Sequence, residues 1–407
     1  MLKRVLGALR SGHWPSLVGA WLHFEVSFMV WLLIGALGVS IAEEFGLSAT
    51  QKGLLVAVPL LGGALLRVAV GILSDCVGPK PIGLVILGGE LLAVVWGWLG
   101  ASTYPQMLGV GLLLGIAGGS FAVALPIAGR AYPPAHQGLA LGVAASANSG
   151  TVLAVFFAPR LAQTVGWHGV FGLAAVPILL TTLLFAWLVR GGGALRQEGG
   201  YRWRQTVAAI FRRPSMYWLC FVYAITFGGF VGFVSYLPIF YHDQYGLNLV
   251  TAGSVTALCG LSGSLARPLG GYLADRLGGL KVLLVLFPVI AGFALGLGQL
   301  PGLIWSILLM TLAVAIMGFG NGVVFQVVSD RFPKQIGLAS GLIGAAGGFG
   351  GFLLPSWMGL LKDATGTYQS GFLLFAALSM AAAVSVAVVL QRQRQAQGRL
   401  GGDGGLD

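Results

Sequence analysis

Two arginines, Arg67 and Arg267, sit inside long apolar runs instead of in the polar stretches between them. Each lies eight residues before an aspartate, Asp75 or Asp275, near the end of its run. At helical rise that separation is about 12 Å, which places both guanidinium groups near the middle of a bilayer when the runs are membrane helices. An arginine at that depth costs about 2.5 to 3.5 kcal/mol on insertion scales, so each must face the protein interior and find partners there. Two readings are open. Both arginines could donate to helix carbonyls, or the pair could clamp an anion, and their symmetry favours the clamp. A guanidinium is planar with parallel N–H donors, so a pair of them suits a small planar oxyanion such as nitrate, nitrite, bicarbonate or a small carboxylate.

The elements that must carry these arginines follow from composition. Of the 407 residues 57% are hydrophobic and only 9% charged, which excludes a soluble protein of this size. Apolar runs long enough to cross a bilayer number twelve: 16–42, 52–74, 80–101, 105–129, 137–158, 168–190, 215–240, 250–274, 280–299, 302–327, 337–361 and 369–390. The predicted class is an all-α polytopic membrane protein. Glycines scattered through these runs fit close helix packing.

The net charge of +11 is distributed by position. Eighteen of the 23 basic residues fall at the N-terminus, in the even-numbered loops and in the tail, against Lys52, Arg160 and Lys362 on the opposite side. Cytoplasmic loops carry the basic excess, so both termini are expected in the cytoplasm and the chain in the cytoplasmic (inner) membrane. The expected organisation is an N-terminal six-helix half (1–190), a Gly- and Arg-rich cytoplasmic linker (191–214), a C-terminal half (215–390) and a tail (391–407), disordered from Leu400.

The halves repeat. Arg67, Gly71, Leu73, Asp75 and Gly78 recur as Arg267, Gly271, Leu273, Asp275 and Gly278 at a constant shift of 200, and Phe45 to Ser48 recurs as Tyr245 to Asn248. Even numbers of spans per half make this a parallel repeat. The glycines let helix ends approach, and Asp75 and Asp275 are placed to accept hydrogen bonds from neighbouring helix ends in one conformation, as gating residues.

The G-x-L-x-D-x-x-G-x-K pattern after span two resembles the loop motif of the major facilitator superfamily, with its partner after span eight. Val58 to Arg67, Gly119 to Pro126, Ala147 to Thr151 and Tyr223 to Phe233 resemble the nitrate/nitrite porter family within it, and the similarity runs through all twelve spans. The resemblance implies the major facilitator fold of two pseudo-symmetric six-helix halves and transport of nitrate and nitrite. It implies that Arg67 and Arg267 hold the anion and that Asn148 and Tyr223 hydrogen-bond near it. Phe121, Phe227 and either Phe28 or Phe24 would sandwich it. Helix adjustment is expected at Gly150, Gly347 and Gly348, although the family's glycine-rich signature is thin in span five, where Ala144 to Gly150 holds a single glycine.

Excess positive charge around one monovalent anion suits exchange, whereas proton symport needs an acid in the spans, for which Glu25 is the candidate and relatives often carry one. Both modes stay open. No nucleotide loop, HExxH or nucleophile elbow is found, so no enzyme and no cofactor or metal is expected. Cys76, Cys220 and Cys259 are too scattered for a metal site, and no basic–aromatic patch calls for nucleic acid. The partners expected are nitrate, nitrite, lipid and protons, with the chain a monomer. A carrier of another small anion such as a monocarboxylate, or a non-transporting anion sensor, are the alternatives.

Overall fold

The structure, a computed structural model, describes residues 11–133, 136–190, 210–332 and 336–402. Every regular element among them is helical. The membrane-length helices are α1 (Trp14–Phe45), α2 (Ala49–Val77), α3 (Pro79–Leu99) and α4 (Tyr104–Arg130), followed by a helical stretch over Ala140–Leu188. That stretch holds two spans, α5 (137–165) and α6 (167–188), joined at a kink where Gly166 leaves helical geometry at φ 69°. The remainder are α7 (Pro214–Tyr245), α8 (Leu249–Leu277), α9 (Gly279–Gly298), α10 (Leu303–Arg331), α11 (Ile336–Thr365) and α12 (Gln369–Gly402).

Twelve spans therefore stand as expected, with corrections at their ends. The polar loop expected between spans five and six does not form. The helix continues to 165, and the positive φ at Gly166, a conformation glycine adopts without steric cost, turns the chain in one residue. α7 runs to Tyr245, and α12 continues beyond 390 through the Gln- and Arg-rich run 391–397 of good helix formers and on to Gly402. The expected disorder from Leu400 is thus overturned for its first three residues, and 403–407 lie outside the described residues, as do 191–209 of the expected linker.

The repeat at 200 is built from matched helix ends. Ser48 and Asn248 each accept a backbone N–H three residues on, capping α2 and α8. Gly46 and Gly246 close the preceding helices in left-handed conformation at φ 60° and 67°. Gly78 and Gly278 turn the chain from α2 into α3 and from α8 into α9.

α2 packs along α11, α5 along α8, and the Leu33–Phe45 part of α1 against α7. These contacts bring the N-terminal spans against the C-terminal ones. At the end of the bundle where α2 begins they are tied by polar groups. Lys52 Nζ donates to both oxygens of Asp243 at 2.7 and 3.0 Å. Asp363 accepts from the backbone of Ala49 and Thr50 at 3.1 and 2.8 Å, capping the start of α2 from across the interface. Tyr368 donates to Asp243 at 3.3 Å. Burial, and next the adjacent Asp243, raise that phenol well above its usual range, so it remains a donor. At the opposite end the bundle is open: a cavity of about 550 Å³ reaches from Arg67 and Arg267 to the exposed Asp75 and Cys76.

Candidate functional site

Arg67 is delivered by α2 and is 3% exposed. Its Nε donates to the Gly118 carbonyl of α4 at 2.9 Å, and its Nη1 to the Gly344 carbonyl of α11 at 2.8 Å. The third nitrogen, Nη2, is buried with no hydrogen-bond partner among the described residues. Three rings surround the guanidinium: Phe227 at 5.5 Å, Trp31 at 5.7 Å and Phe121 at 5.9 Å from its carbon. The two readings of this arginine thus both find support, since two donor groups satisfy helix carbonyls and one is left over. An unsatisfied charged donor in a dry interior is expensive.

Arg267, from α8, lines the same cavity and is half-buried. Its guanidinium carbon lies 5.7 Å from the centroid of Phe325. Neither arginine forms an ion pair among the described residues. Tyr223 is 2% exposed and interacts electrostatically with both guanidinium groups. It stacks on Phe227, with ring centroids 5.1 Å apart and planes 4° apart, because the two are one turn apart on α7. Phe325 meets Tyr223 edge-on at 5.2 Å and Phe121 at 6.1 Å. Arg67, Arg267, Phe121, Tyr223 and Phe227 therefore converge as one aromatic-walled, doubly cationic site.

The other expected residues fall around it. Asn148 is buried at the α5–α8 contact, where its Nδ2 donates to Ser264 Oγ at 3.2 Å and its Oδ1 has no partner. Ser264 stands three residues before Arg267, so the amide braces the helix that carries the arginine. Phe28 is one ring removed, between Phe24 at 4.4 Å and Trp31 at 5.0 Å, and Phe24 in turn reaches Phe121 at 5.8 Å. Glu25 is buried and accepts from Ser149 Oγ at 2.9 and 3.0 Å, at a place where a β-carbon on Gly150 would run into the α1 backbone. Gly347 lies against Tyr223 and Phe227, and Gly348 against Ala64, so the glycines of α11 form its contact surface with α7 and α2. Asp75 pairs with Arg130 of α4 at 3.8 Å, with both side chains partly in solvent, and Asp275 is exposed.

Sequence reasoning passed over Phe325 and Trp31. Phe325 could have been found from the repeat, because its counterpart at the shift of 200, Leu125, also lines the cavity. Trp31 carried a weaker signal, as a large polar-tipped ring in the middle of a span, where apolar packing alone would accept any bulky residue.

The Major Facilitator Superfamily family model matches residues 20–355. The chain is 36% identical to the "Probable nitrate/nitrite transporter NarK2" of Mycobacterium tuberculosis, covering 88% of this chain and 91% of that protein. The chain belongs to the nitrate/nitrite porter family of the Major Facilitator Superfamily. A further relative, the "Nitrite extrusion protein" of Bacillus subtilis, is 32% identical over 92% of this porter and 93% of its own length. Among solved structures, the crystal structure of a D-xylose-proton symporter superposes with a TM-score of 0.73 at 20% identity, over 92% of this chain and 97% of the other, which speaks for the fold. The porter is thus a multi-pass membrane transporter, and family membership sets it apart from enzymes.

Proposed function

We propose that this porter carries nitrate and nitrite across the inner membrane by alternating access, holding the anion between Arg67 and Arg267. The observation that carries the reading is that Arg67, whose Nη2 is buried and unpartnered, and Arg267 line one cavity, with no carboxylate paired to either among the described residues. A flat ion there would accept from Arg67 Nη2 and from the Arg267 fork, with Phe121, Phe227 and Phe325 against its faces and excluding water. Tyr223 would add an O–H donor.

The open end of the cavity carries Asp75, Lys80 and Arg130, the side that the basic excess assigns to the cytoplasm with both termini. On that assignment the porter faces inward here. Transport is then a rocking of 1–190 against 215–390, in which the Lys52–Asp243 and Asp363 ties part while α11 adjusts at Gly347 and Gly348 and α5 at Gly150. Each chain holds a whole cavity, so the monomer is the transport unit.

Exchange of nitrate for nitrite is the favoured mode. With two cations lining one cavity, the empty site is electrostatically unfavourable to close, and a bound anion relieves the repulsion. Proton symport is the second reading, favoured by the burial of Glu25 against the neutral partner Ser149. Labelled-nitrate uptake into proteoliposomes separates them. Uptake that requires internal nitrite supports exchange. Uptake driven by an inward proton gradient into empty vesicles, and lost in Glu25→Gln, supports symport. No uptake in either, with uptake of formate or lactate instead, would sink the nitrate reading; saturable nitrate binding without any uptake would mean a sensor.

A further inference from the structure

Pro59, Gly63 and Arg67 follow at four-residue steps and so share one face of α2. Trp31 of α1 lies against that face at all three positions. Its indole Nε1 donates to the Pro59 carbonyl at 2.8 Å. Its six-membered ring fills the space a β-carbon on Gly63 would need, and the space one on Gly118 of α4 would need as well. The Arg67 guanidinium lies beside its face at 5.7 Å. Gly118 is the residue whose carbonyl accepts from Arg67 Nε. A single ring, 1% exposed, therefore wedges beside the backbone contact of α2 with α4, where Gly63 and Gly118 meet, and packs against both the helix that carries Arg67 and the residue whose carbonyl holds it.

The ring is itself anchored. Trp31 closes the first segment of α1, directly before the chain departs from helical geometry at Leu32 (φ −95°, ψ 7°), and Phe28 one turn earlier packs on it at 5.0 Å. The hydrogen bond to Pro59 prevents the indole from sliding along α2. The bond also satisfies the buried indole N–H, a donor that Phe or Leu would not bring into the core. The bond, the two glycines cleared for the ring and the stacked cation together specify an indole in one orientation.

We propose that Trp31 is a positioning residue for the anion site, holding Arg67 so that Nε and Nη1 are spent on the Gly118 and Gly344 carbonyls and Nη2 alone is presented to the anion. Without the ring, the space beside Gly63 and Gly118 empties, Arg67 loses one of its three aromatic neighbours, and Nη2 is free to turn onto a carbonyl. Anion affinity falls while the rocking of the bundle, which does not involve Trp31, persists. The inference rests on the proposed reading for the anion at Arg67 and for the choice of ligand.

The test is equilibrium binding of nitrate, nitrite, formate and chloride to the purified full-length porter, alongside the exchange rate per folded molecule in proteoliposomes. Trp31→Leu, which removes ring and donor, is expected to raise the dissociation constant of the preferred anion about tenfold, and Trp31→Phe, which keeps a ring but no N–H, about threefold. The maximal rate per folded molecule stays within about twofold in both, a split that a purely structural defect would not give. Wild-type affinity in Trp31→Phe and Trp31→Leu overturns the proposal, whatever happens to yield. Should Trp31→Leu not fold, Trp31→Phe decides alone. A wild-type porter that prefers formate or chloride to nitrate refutes the substrate reading instead, and the affinity ratio is then read with that anion.

Discussion

Arg67 and Arg267 occupy the same place in two copies of one repeat, yet their surroundings differ. Arg67 is buried, bonded to two carbonyls and ringed by three aromatics. Arg267 is half-buried beside Phe325 and Tyr223, the latter a side-chain hydrogen-bond partner, and forms no ion pair among the described residues. At the shift of 200, the positions of Trp31 and Phe121 become Val231 and Asn321, so the rings that fix Arg67 have no counterpart in the second half. One arginine is a fixed post and the other an arm that can adjust. Duplication supplied the symmetry of the clamp, and divergence of the neighbours divided the labour. A fixed post defines the site in this state, while a movable arm can follow the anion when the halves rock.

The largest effect is expected for Arg67→Lys. An ammonium cannot bond Gly118 and Gly344 and still reach the cavity; two charge-assisted hydrogen bonds at about 1.5 kcal/mol each correspond to about a hundredfold loss of nitrate exchange. Near-normal exchange in this variant would remove the post from the comparison. Arg267→Lys should be milder, an increase of about tenfold in the half-saturation concentration at a rate that high nitrate largely restores, since the arm keeps its charge and loses its fork. Equal damage from both substitutions in the same kinetic assay would mean that the two arginines are equivalent.

A smaller effect is expected at the closed end. Asp243→Asn removes a charge pair whose partners are about one-fifth exposed, an interaction of about 1 kcal/mol. It should shift the porter away from the state described and slow labelling of Cys76, exposed in the cavity mouth, by up to about fivefold. Unchanged labelling by a membrane-impermeant maleimide would show that the pair does not bias the equilibrium. The smallest change concerns the two motif aspartates. Asp75–Arg130 is long and well solvated, so Asp75→Asn and Asp275→Asn should each alter thermal stability by less than about 0.5 kcal/mol in this state. A large drop for one alone would expose an asymmetry at the open end as well.

Much of the fold could be read from the residues because helix ends are local. Ser48 and Asn248 as caps, Gly46 and Gly246 in left-handed conformation, and Gly78 and Gly278 at the turns all act within four residues of themselves. The convergence of Arg67, Arg267, Phe121, Tyr223 and Phe227 was legible through the repeat and the family resemblance. What escaped was set by backbone and by distant neighbours. The Gly118 and Gly344 carbonyls that hold Arg67 have no side-chain signature. Asn148, expected to face an anion, turns its Nδ2 to Ser264 on another helix. The junction at Gly166 escaped because a single residue there does what the eye assigns to a loop.

The bonds that hold Arg67 have a genetic consequence. Its two acceptors are main-chain oxygens, present whatever residue occupies positions 118 and 344, so no substitution there can delete them by changing chemistry. Size is a different matter: a β-carbon at 118 would meet Gly63 at 2.9 Å, and one at 344 would meet the Arg67 side chain at 3.1 Å. In a saturation library those two codons should tolerate glycine and, at most, alanine, with polar and apolar replacements failing alike in order of volume. The fixed arginine is thus protected against loss of its partners and exposed only to crowding, which leaves this corner of the site little room to drift as related porters diverge.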